Sequence, residues 1–137
     1  MIFIDSNIWL YALLPQQSAA KLSISQSLIQ TNQPNIAMSS QVVIEVTANL
    51  IRKGNFNETQ ITKFIEDSYR DYLVMDVSEK ILVHASELRR GYSFSYFDSM
   101  IVAAALATNS TTLYTEDMQD GLVVGDQLTI VNPFASH

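Results

Sequence analysis

The chain has 137 residues, no cysteine and a formal net charge of −6, with 47% hydrophobic and 16% charged residues. The hydrophobic share is ordinary for a globular domain and excludes a disordered tail or a coiled coil, and the absence of cysteine excludes disulfides and thiolate zinc sites. The negative charge argues against a general nucleic-acid coat protein, which binds through lysine and arginine.

The hydrophobic segments are too short for a membrane protein. The longest, over residues 100–107, is far below the roughly 20 residues of a bilayer span, and no signal segment opens the chain. We therefore expect a single cytoplasmic domain over residues 1–137, without membrane association.

Short apolar runs alternate with helical patterns along the chain. Strands are predicted at residues 1–4, 36–39, 73–77, 111–114 and 128–131, and helices at 8–14, 18–31, 41–53, 57–72, 79–91 and 99–108. Gly54 is predicted as the left-handed stop of the third helix. Because parallel strands need crossover connections, this alternation predicts a three-layer α/β/α domain with a parallel central sheet.

Acidic residues follow the predicted strands at four places. Asp5 comes directly after the first strand, Glu45 lies in the helix after the second, Asp98 opens the apolar helix, and Asp117 follows the strand ending at Tyr114. In open α/β sheets, ligands bind beyond the carboxyl ends of the strands, where such residues meet. Each acid alone is more often a helix cap or a turn residue, so the prediction depends on their convergence.

Helical geometry sharpens two of these positions. Glu45 falls on a polar stripe beside a buried one formed by Val42, Val43, Val46 and Leu50, so it can face a crevice. Asp98 precedes a helix that is apolar on nearly every side, which predicts burial, and the helix dipole would keep it ionised. A plain N-cap is the alternative for Asp98.

The fourth acid is ambiguous, because Glu116, Asp117 and Asp120 share one turn. Asp117 fits best, since it lies close after the strand, and Asp120 is the reserve. Near these acids, Ser6, Asn7 and Thr115 are predicted to orient carboxylates or water, with helix-cap and turn roles as the alternative.

Four converging carboxylates imply a cation. Two of them ~4 Å apart repel by roughly 4 kcal/mol at an effective dielectric of ~20, so the group must take up protons or bind an ion. Oxygen ligands select Mg²⁺ or Mn²⁺, whereas zinc would want histidine or cysteine, and the only histidines are His84 and His137. Such an ion activates water and polarises phosphoryl oxygens, which predicts phosphodiester hydrolysis.

The residues that carry these features resemble a known family, the PIN-domain ribonucleases, and in particular VapC-type toxins of type II toxin–antitoxin pairs. The matching segments are residues 3–7, 40–46 with 49–53, 92–98 and 113–121, in that order. The resemblance places the family's acids at Asp5, Glu45, Asp98 and, at its variable fourth position, Asp117. It implies a parallel sheet, Mg²⁺ or Mn²⁺, cleavage of RNA, a homodimer and an antitoxin that blocks the site.

RNA must approach an acidic protein, so local basic residues are needed. Arg52, Lys53, Arg89 and Arg90 are predicted to contact phosphate away from the cut, with Lys21 a weaker candidate and solvated helix ends the alternative. The aromatic residues over 92–97 are more often core or dimer surface, but they can also stack bases.

Other enzyme classes fit the sequence poorly. Receiver domains and aspartyl phosphatases share the α/β class, but both families have a late lysine that neutralises phosphate. No lysine or arginine follows Arg90 in this chain. A serine hydrolase needs a nucleophile elbow that the chain lacks. The main alternative is a catalytically silent PIN-like module that serves in binding or assembly.

Overall fold

A computed structural model describes residues 1–15 and 17–136 of the chain. Its helices are α1 (Ser6–Leu13), α2 (Ala19–Thr31), α3 (Ser40–Gly54), α4 (Glu58–Asp71), α5 (Glu79–Gly91) and α6 (Tyr96–Ala107). Its strands are β1 (Ile2–Ile4), β2 (Ile36–Ser39), β3 (Leu73–Met75), β4 (Thr112–Tyr114), β5 (Val123–Val124) and β6 (Leu128–Val131). His137 and Gln16 lie outside the described residues.

The strands form one mixed sheet in the order β3-β2-β1-β4-β6-β5. The first five strands of that order run parallel, and the short β5 pairs antiparallel with β6. The predicted α/β class and parallel sheet are confirmed, whereas the antiparallel edge was not expected, because the two-residue β5 leaves almost no periodic signal.

The strand order reverses direction at β1. Chain order runs outward through β2 and β3 on one side, and β4 then returns to pair with the other side of β1. A reversal of this kind opens a crevice beyond the carboxyl ends of the two central strands, which is where ligands bind in open α/β sheets. Asp5 and Thr115 are the residues that follow β1 and β4.

Two groups of helices surround the sheet. Helix α1 contacts both α2 and α3, and α3 contacts α4, while α5 and α6 pack as a pair and α6 also contacts β2 and β4. The core is built from the hydrophobic residues of β1, β2, β4 and β6 with the inner faces of these helices. The buried stripe predicted for α3, formed by Val42, Val43, Val46 and Leu50, is confirmed.

Two predicted helix ends are wrong. Helix α3 includes Gly54 as its last residue, and Asn55 takes the left-handed conformation at φ 55°. Gly54 is instead needed for space, because a Cβ there would lie 2.7 Å from Cδ2 of Leu14. Helix α6 begins at Tyr96 with Ser95 as its N-cap, so Asp98 lies inside the first turn and is not the cap.

None of the helices within the described residues combines the length and apolar character that crossing a bilayer requires.

Candidate active site

Asp5 is buried at the reversal point of the sheet. It is 4% exposed, and its amide donates to the Tyr114 carbonyl, which extends the pairing of β1 with β4. Its carboxylate accepts from the Ser6 amide at 2.7 Å and from the Thr115 hydroxyl at 2.8 Å. Asp5 therefore caps α1, as the alternative interpretation had it, and at the same time presents a carboxylate at the base of the crevice.

Glu45 is held beside Asp5 by hydrogen bonds from α1 and from its own helix, α3. The Ser6 hydroxyl donates to Glu45 Oε2 at 2.7 Å and lies 3.5 Å from Asp5 Oδ1. Gln41, one turn earlier on α3, donates through Nε2 to Glu45 Oε1 at 2.9 Å. We call Asp5 and Glu45 the inner pair, since both are held by short bonds from the protein.

Asp117 faces the same crevice from the segment after β4. Asn7 Nδ2 donates to Asp117 Oδ2 at 2.8 Å and to the Thr115 hydroxyl at 3.2 Å, so a chain of side-chain bonds joins Asp117 to Asp5. Asp117 is exposed, in contrast to Asp5.

The neighbouring acids of that segment point elsewhere. Glu116 accepts from Lys21 at 2.7 Å and from the Tyr11 hydroxyl, and Asp120 accepts from the Asn132 amide at 2.8 Å. Of the three acids in the predicted turn, Asp117 is therefore the one linked to the residues around Asp5.

Asp98 approaches from α6 and is partly buried. Its backbone amide donates to Ser95 Oγ at 3.2 Å, which is the N-cap bond of α6. This bond alone gives Asp98 no catalytic role. Its carboxylate lines a small cavity together with Asp117. We call Asp98 and Asp117 the outer pair, since both lie where the crevice opens to solvent.

Electrostatic coupling connects the four acids. Burial raises the pKa of Asp5 from its ordinary 3.8 to about 7; bonds from Thr115 and Ser6 oppose the shift, and the charges of Glu45 and Asp117 add to it. Burial likewise raises the pKa of Asp98, opposed by Ser95 and reinforced by Asp117 and Glu45. This shift is opposite in direction to the effect predicted for the helix dipole, because desolvation is its largest cause. That Asp98 is ionised stays a prediction.

The charges of Glu45 and Asp117 act on both Asp5 and Asp98, but the four carboxylates do not close on a single point. Within residues 1–15 and 17–136, no three acidic or histidine side chains are grouped closely enough to hold one ion as they stand. Hydrogen bonds from the protein hold these carboxylates, and the raised pKa of Asp5 favours proton uptake, which is one of the two outcomes predicted for crowded carboxylates. Binding of an ion, the other outcome, stays a prediction.

The donor set nevertheless suits a hard divalent ion. Its side chains offer only oxygen, and Mg²⁺ commonly binds through one or two carboxylates while it keeps several waters. Asn7 Oδ1 and Gln41 Oε1 are also buried here, with no hydrogen-bond partner in the described part of the chain. Buried polar atoms of this kind cost free energy unless a water or an ion's hydration shell satisfies them.

Gln41 is a site residue that the sequence reasoning missed. It is 8% exposed, and besides holding Glu45 its Nε2 lies 3.4 Å from the Phe97 carbonyl, so it joins α3 to the start of α6. The signal that points to it is its spacing of four residues before Glu45, which places both side chains on one helix face.

The basic residues predicted to contact RNA differ in whether their side chains already bond to the protein. Arg89 donates to Ser99 Oγ at 2.6 Å, and its guanidinium lies 4.6 Å from the Tyr96 ring centre, so it braces α5 against α6. Arg52 donates to Asn49 Oδ1 at 2.8 Å on the polar stripe of α3, while Lys53 and Arg90 are exposed.

Solved structures share this fold. A toxin–antitoxin complex from Klebsiella pneumoniae contains a chain with a TM-score of 0.72 and 18% identity, with 98% of each chain covered. The Mycobacterium tuberculosis toxin VapC20, described as cleaving the sarcin–ricin loop, has a TM-score of 0.69 at 16% identity, covering 85% of this chain and 90% of that one. VapBC2 from Rickettsia felis, bound to promoter DNA, has a TM-score of 0.64 at 21% identity, covering 96% and 100%.

The sequence itself matches a family description. A search of curated proteins found no match, but the sequence model of the PIN domain matches residues 2–119, which span β1 to the segment that carries Asp117. This match confirms the resemblance drawn from the acidic segments: the chain belongs to the PIN-domain family.

Proposed function

We propose that this chain is a divalent-metal-dependent endoribonuclease that hydrolyses RNA phosphodiester bonds and acts in the cytoplasm as the toxin of a toxin–antitoxin pair. The observation that carries the proposal is the network at the reversal point of the PIN-domain sheet. There, side-chain hydrogen bonds through Ser6, Thr115 and Asn7 link Asp5 to Glu45 and to Asp117, and Asp98 lines a cavity together with Asp117. Family membership supports it, since PIN-domain nucleases typically use divalent metals.

Asp5, Glu45, Asp98 and Asp117 are the residues that would hold Mg²⁺ or Mn²⁺. Such an ion, when bound, polarises a phosphoryl oxygen and makes water a better nucleophile at neutral pH. The protein's own part is to orient the carboxylates and release the proton that Asp5 binds at its raised pKa.

Neighbouring side chains do the orienting. Ser6 and Gln41 fix the two oxygens of Glu45, while Thr115 and Asn7 fix Asp5 and Asp117 in turn. Supporting bonds of this type hold metal ligands in a productive direction, and their loss typically weakens metal affinity or activity.

Phosphate contacts away from the cut are assigned to Arg52, Lys53 and Arg90, whose exposed positions leave them open to a strand of RNA. Arg89 already donates one guanidinium N–H to Ser99. It can contact phosphate only with its other guanidinium N–H groups.

Two partners complete the proposal. An antitoxin protein is supported by the solved relatives described as toxin–antitoxin assemblies. A homodimer is supported by Ile44 and Ile51, which lie seven residues apart on one side of α3 and are 65% and 46% exposed.

A catalytically silent PIN-like binding module is the second candidate. Its support is that protein donors already hold the inner pair and Asp117, and that no three acids in the described ranges are grouped around one point. Catalysis and binding make opposite predictions for metal dependence, so one experiment separates them.

The test is cleavage of single-stranded and structured RNAs by the purified chain with Mg²⁺, with Mn²⁺, and with a chelator. We expect cleavage only with added metal, and a strong loss of cleavage together with weaker Mn²⁺ binding in Asp5→Asn. Glu66→Gln, which changes an exposed acid on α4, is the matched control. A wild-type chain that binds RNA but cuts none with either metal would overturn the nuclease proposal in favour of the binding module.

A further inference from the structure

A small cavity opens beside the outer pair. Its volume is about 140 Å³, and Asp98 and Asp117 form one side of it. Phe94, from the loop between α5 and α6, and Met118 and Leu122, from the segment after β4, supply apolar walls. A recess with both apolar and polar walls thus directly adjoins two of the acids assigned to phosphodiester cleavage.

The size of the recess limits what can enter it. Sites for drug-sized ligands span roughly 300–1,000 Å³, and a water molecule takes up ~30 Å³ in the liquid. At about 140 Å³ the cavity falls between these scales. It suits a single flat ring and is too small for a stacked base pair.

Its electrostatic character selects the neutral part of a nucleotide. Among the described residues that line it, none is a lysine or arginine, and two are aspartates. A phosphate group would therefore be repelled from the recess, whereas an uncharged ring would not. The amide of Gln119, which also lines the cavity, can both donate to and accept from a base edge.

One wall of the recess is an anchored aromatic ring. Phe94 stacks on Tyr92 with ring centres 5.4 Å apart and an interplanar angle of 23°. The Tyr92 hydroxyl accepts from the Gly125 amide at 3.3 Å, in the turn between β5 and β6. Phe94 is thereby held in a fixed orientation, as a stacking platform for single-stranded RNA requires.

We propose that this recess binds one unpaired base of the RNA next to the scissile phosphate, with Phe94 as the stacking surface and Gln119 as the group that discriminates between bases. The inference rests on the proposed ribonuclease function and adds to it the element that sets sequence preference. The base lies in the part of the recess formed by Phe94 and Gln119, while its phosphate lies over Asp98 and Asp117, where the metal that they would hold offsets their charge. The recess thereby fixes which bond reaches the acids.

The experiment measures binding and cleavage separately. Fluorescently labelled RNA tetranucleotides of each base are titrated, in the metal-free state and with Mn²⁺, against Asp5→Asn protein, which retains the recess. Cleavage profiles are then measured for the otherwise wild-type chain on an RNA randomised around the cut. The variants are Phe94→Leu, which keeps apolar volume but removes the ring, and Gln119→Ala; Tyr69→Leu changes an exposed aromatic on α4 and is the control.

We expect Phe94→Leu to weaken binding by about tenfold or more, as loss of a base–aromatic stack does, and Gln119→Ala to flatten the preference among bases. Unchanged Mn²⁺ affinity in both variants would show that the acids remain in place. The inference would be overturned if the tetranucleotides bound with no preference among bases and if Phe94→Leu and Gln119→Ala gave the same cleavage profiles as Tyr69→Leu. Absence of cleavage by the wild-type chain counts against the ribonuclease proposal alone, because the binding titrations still decide the role of Phe94.

Discussion

The inner and outer pairs lie at the same edge of the sheet, yet the protein holds them very differently. Asp5 is 4% exposed and accepts short bonds from the Ser6 amide and the Thr115 hydroxyl, and Glu45 is fixed by Ser6 and Gln41. Asp117 is exposed and is fixed by Asn7, while Asp98 lies at the cavity mouth.

This difference separates the carboxylates that the fold itself buries and fixes from those that stay accessible to a bound ligand. Burying Asp5 costs free energy, as its raised pKa records, and the fold carries that cost to keep a carboxylate beneath the crevice. The carboxylates of the outer pair are less buried and lose less hydration in the folded chain. We therefore expect the inner pair to set metal affinity and the outer pair to set how substrate is received.

The largest predicted effect comes from Asp5→Asn. Removing the central charge should lower RNA cleavage by about 10²–10³-fold or more, the range for loss of one preorganised electrostatic group. Asp117→Asn, which keeps an oxygen ligand on an exposed residue, should cost only about tenfold. Both are measured as single-turnover rates at saturating Mn²⁺. Equal losses in the two variants would break the distinction between the pairs.

The second prediction concerns the stability of the metal-free protein. The folded-state pKa of Asp5 is about 7 against an ordinary 3.8, so the folded state binds this proton more tightly than the unfolded chain. Its stabilising effect is complete below pH ~4 and is lost as pH rises through about 7, a difference on the order of 4 kcal/mol.

The measurement is urea unfolding at pH 5 and pH 8 in the presence of a chelator. Asp5→Asn should be more stable than the wild type at pH 8 and should show less pH dependence, whereas Glu66→Gln should follow the wild type. Mn²⁺ at ~100 times its dissociation constant should restore roughly 2.7 kcal/mol at pH 8. A wild-type chain that is equally stable at both pH values would contradict the burial cost assigned to Asp5.

The fold could be predicted because its signals are local and repeated. Alternating strands and helices gave the parallel sheet, and the apolar stripe of α3 correctly placed Glu45 at its edge. Short elements and helix ends were harder: β5 has two residues, and α6 begins three residues before the predicted start because Ser95, and not Asp98, provides the cap.

The site was predicted less completely, because its geometry depends on contacts between distant segments. The position after a strand is visible in the sequence for Asp5 and Asp117, but the bond that separates Glu116 from Asp117 involves Lys21, 95 residues earlier. The same holds for Gln41, whose contact with the Phe97 carbonyl spans 56 residues. Whether all four acids bind one ion stays a prediction.

Gln41 provides the third test, on the support of the inner pair. Gln41→Ala removes the donor to Glu45 and should lower Mn²⁺ affinity by about 10–100-fold, the usual cost of losing a partner that orients a metal ligand. Gln41→Glu should be worse, because it sets a second negative charge against Glu45. Calorimetric titration with Mn²⁺ measures the effect, and Gln30→Ala on the exposed side of α2 is the control. An unchanged affinity in Gln41→Ala would remove Gln41 from the site.

The smallest predicted effect lies in the support of the outer pair. Lys21 donates to Glu116 at 2.7 Å and to the Tyr11 hydroxyl at 3.3 Å, and so ties α2 to the segment that carries Asp117. Because the ion pair is partly exposed, its loss in Lys21→Met should cost little. We expect a decrease in the cleavage rate of less than about tenfold, with unchanged Mn²⁺ affinity.

Lys63→Met is the matched control, since it removes an exposed ion pair with Asp67 on α4, away from the crevice. Rate and affinity measured on the same preparations separate the two pairs. A loss of Mn²⁺ affinity in Lys21→Met as large as that in Gln41→Ala would mean that Asp117 contributes to metal binding as much as Glu45 does. The crevice would then act as one unit, because its exposed side would hold the ion as firmly as its buried side.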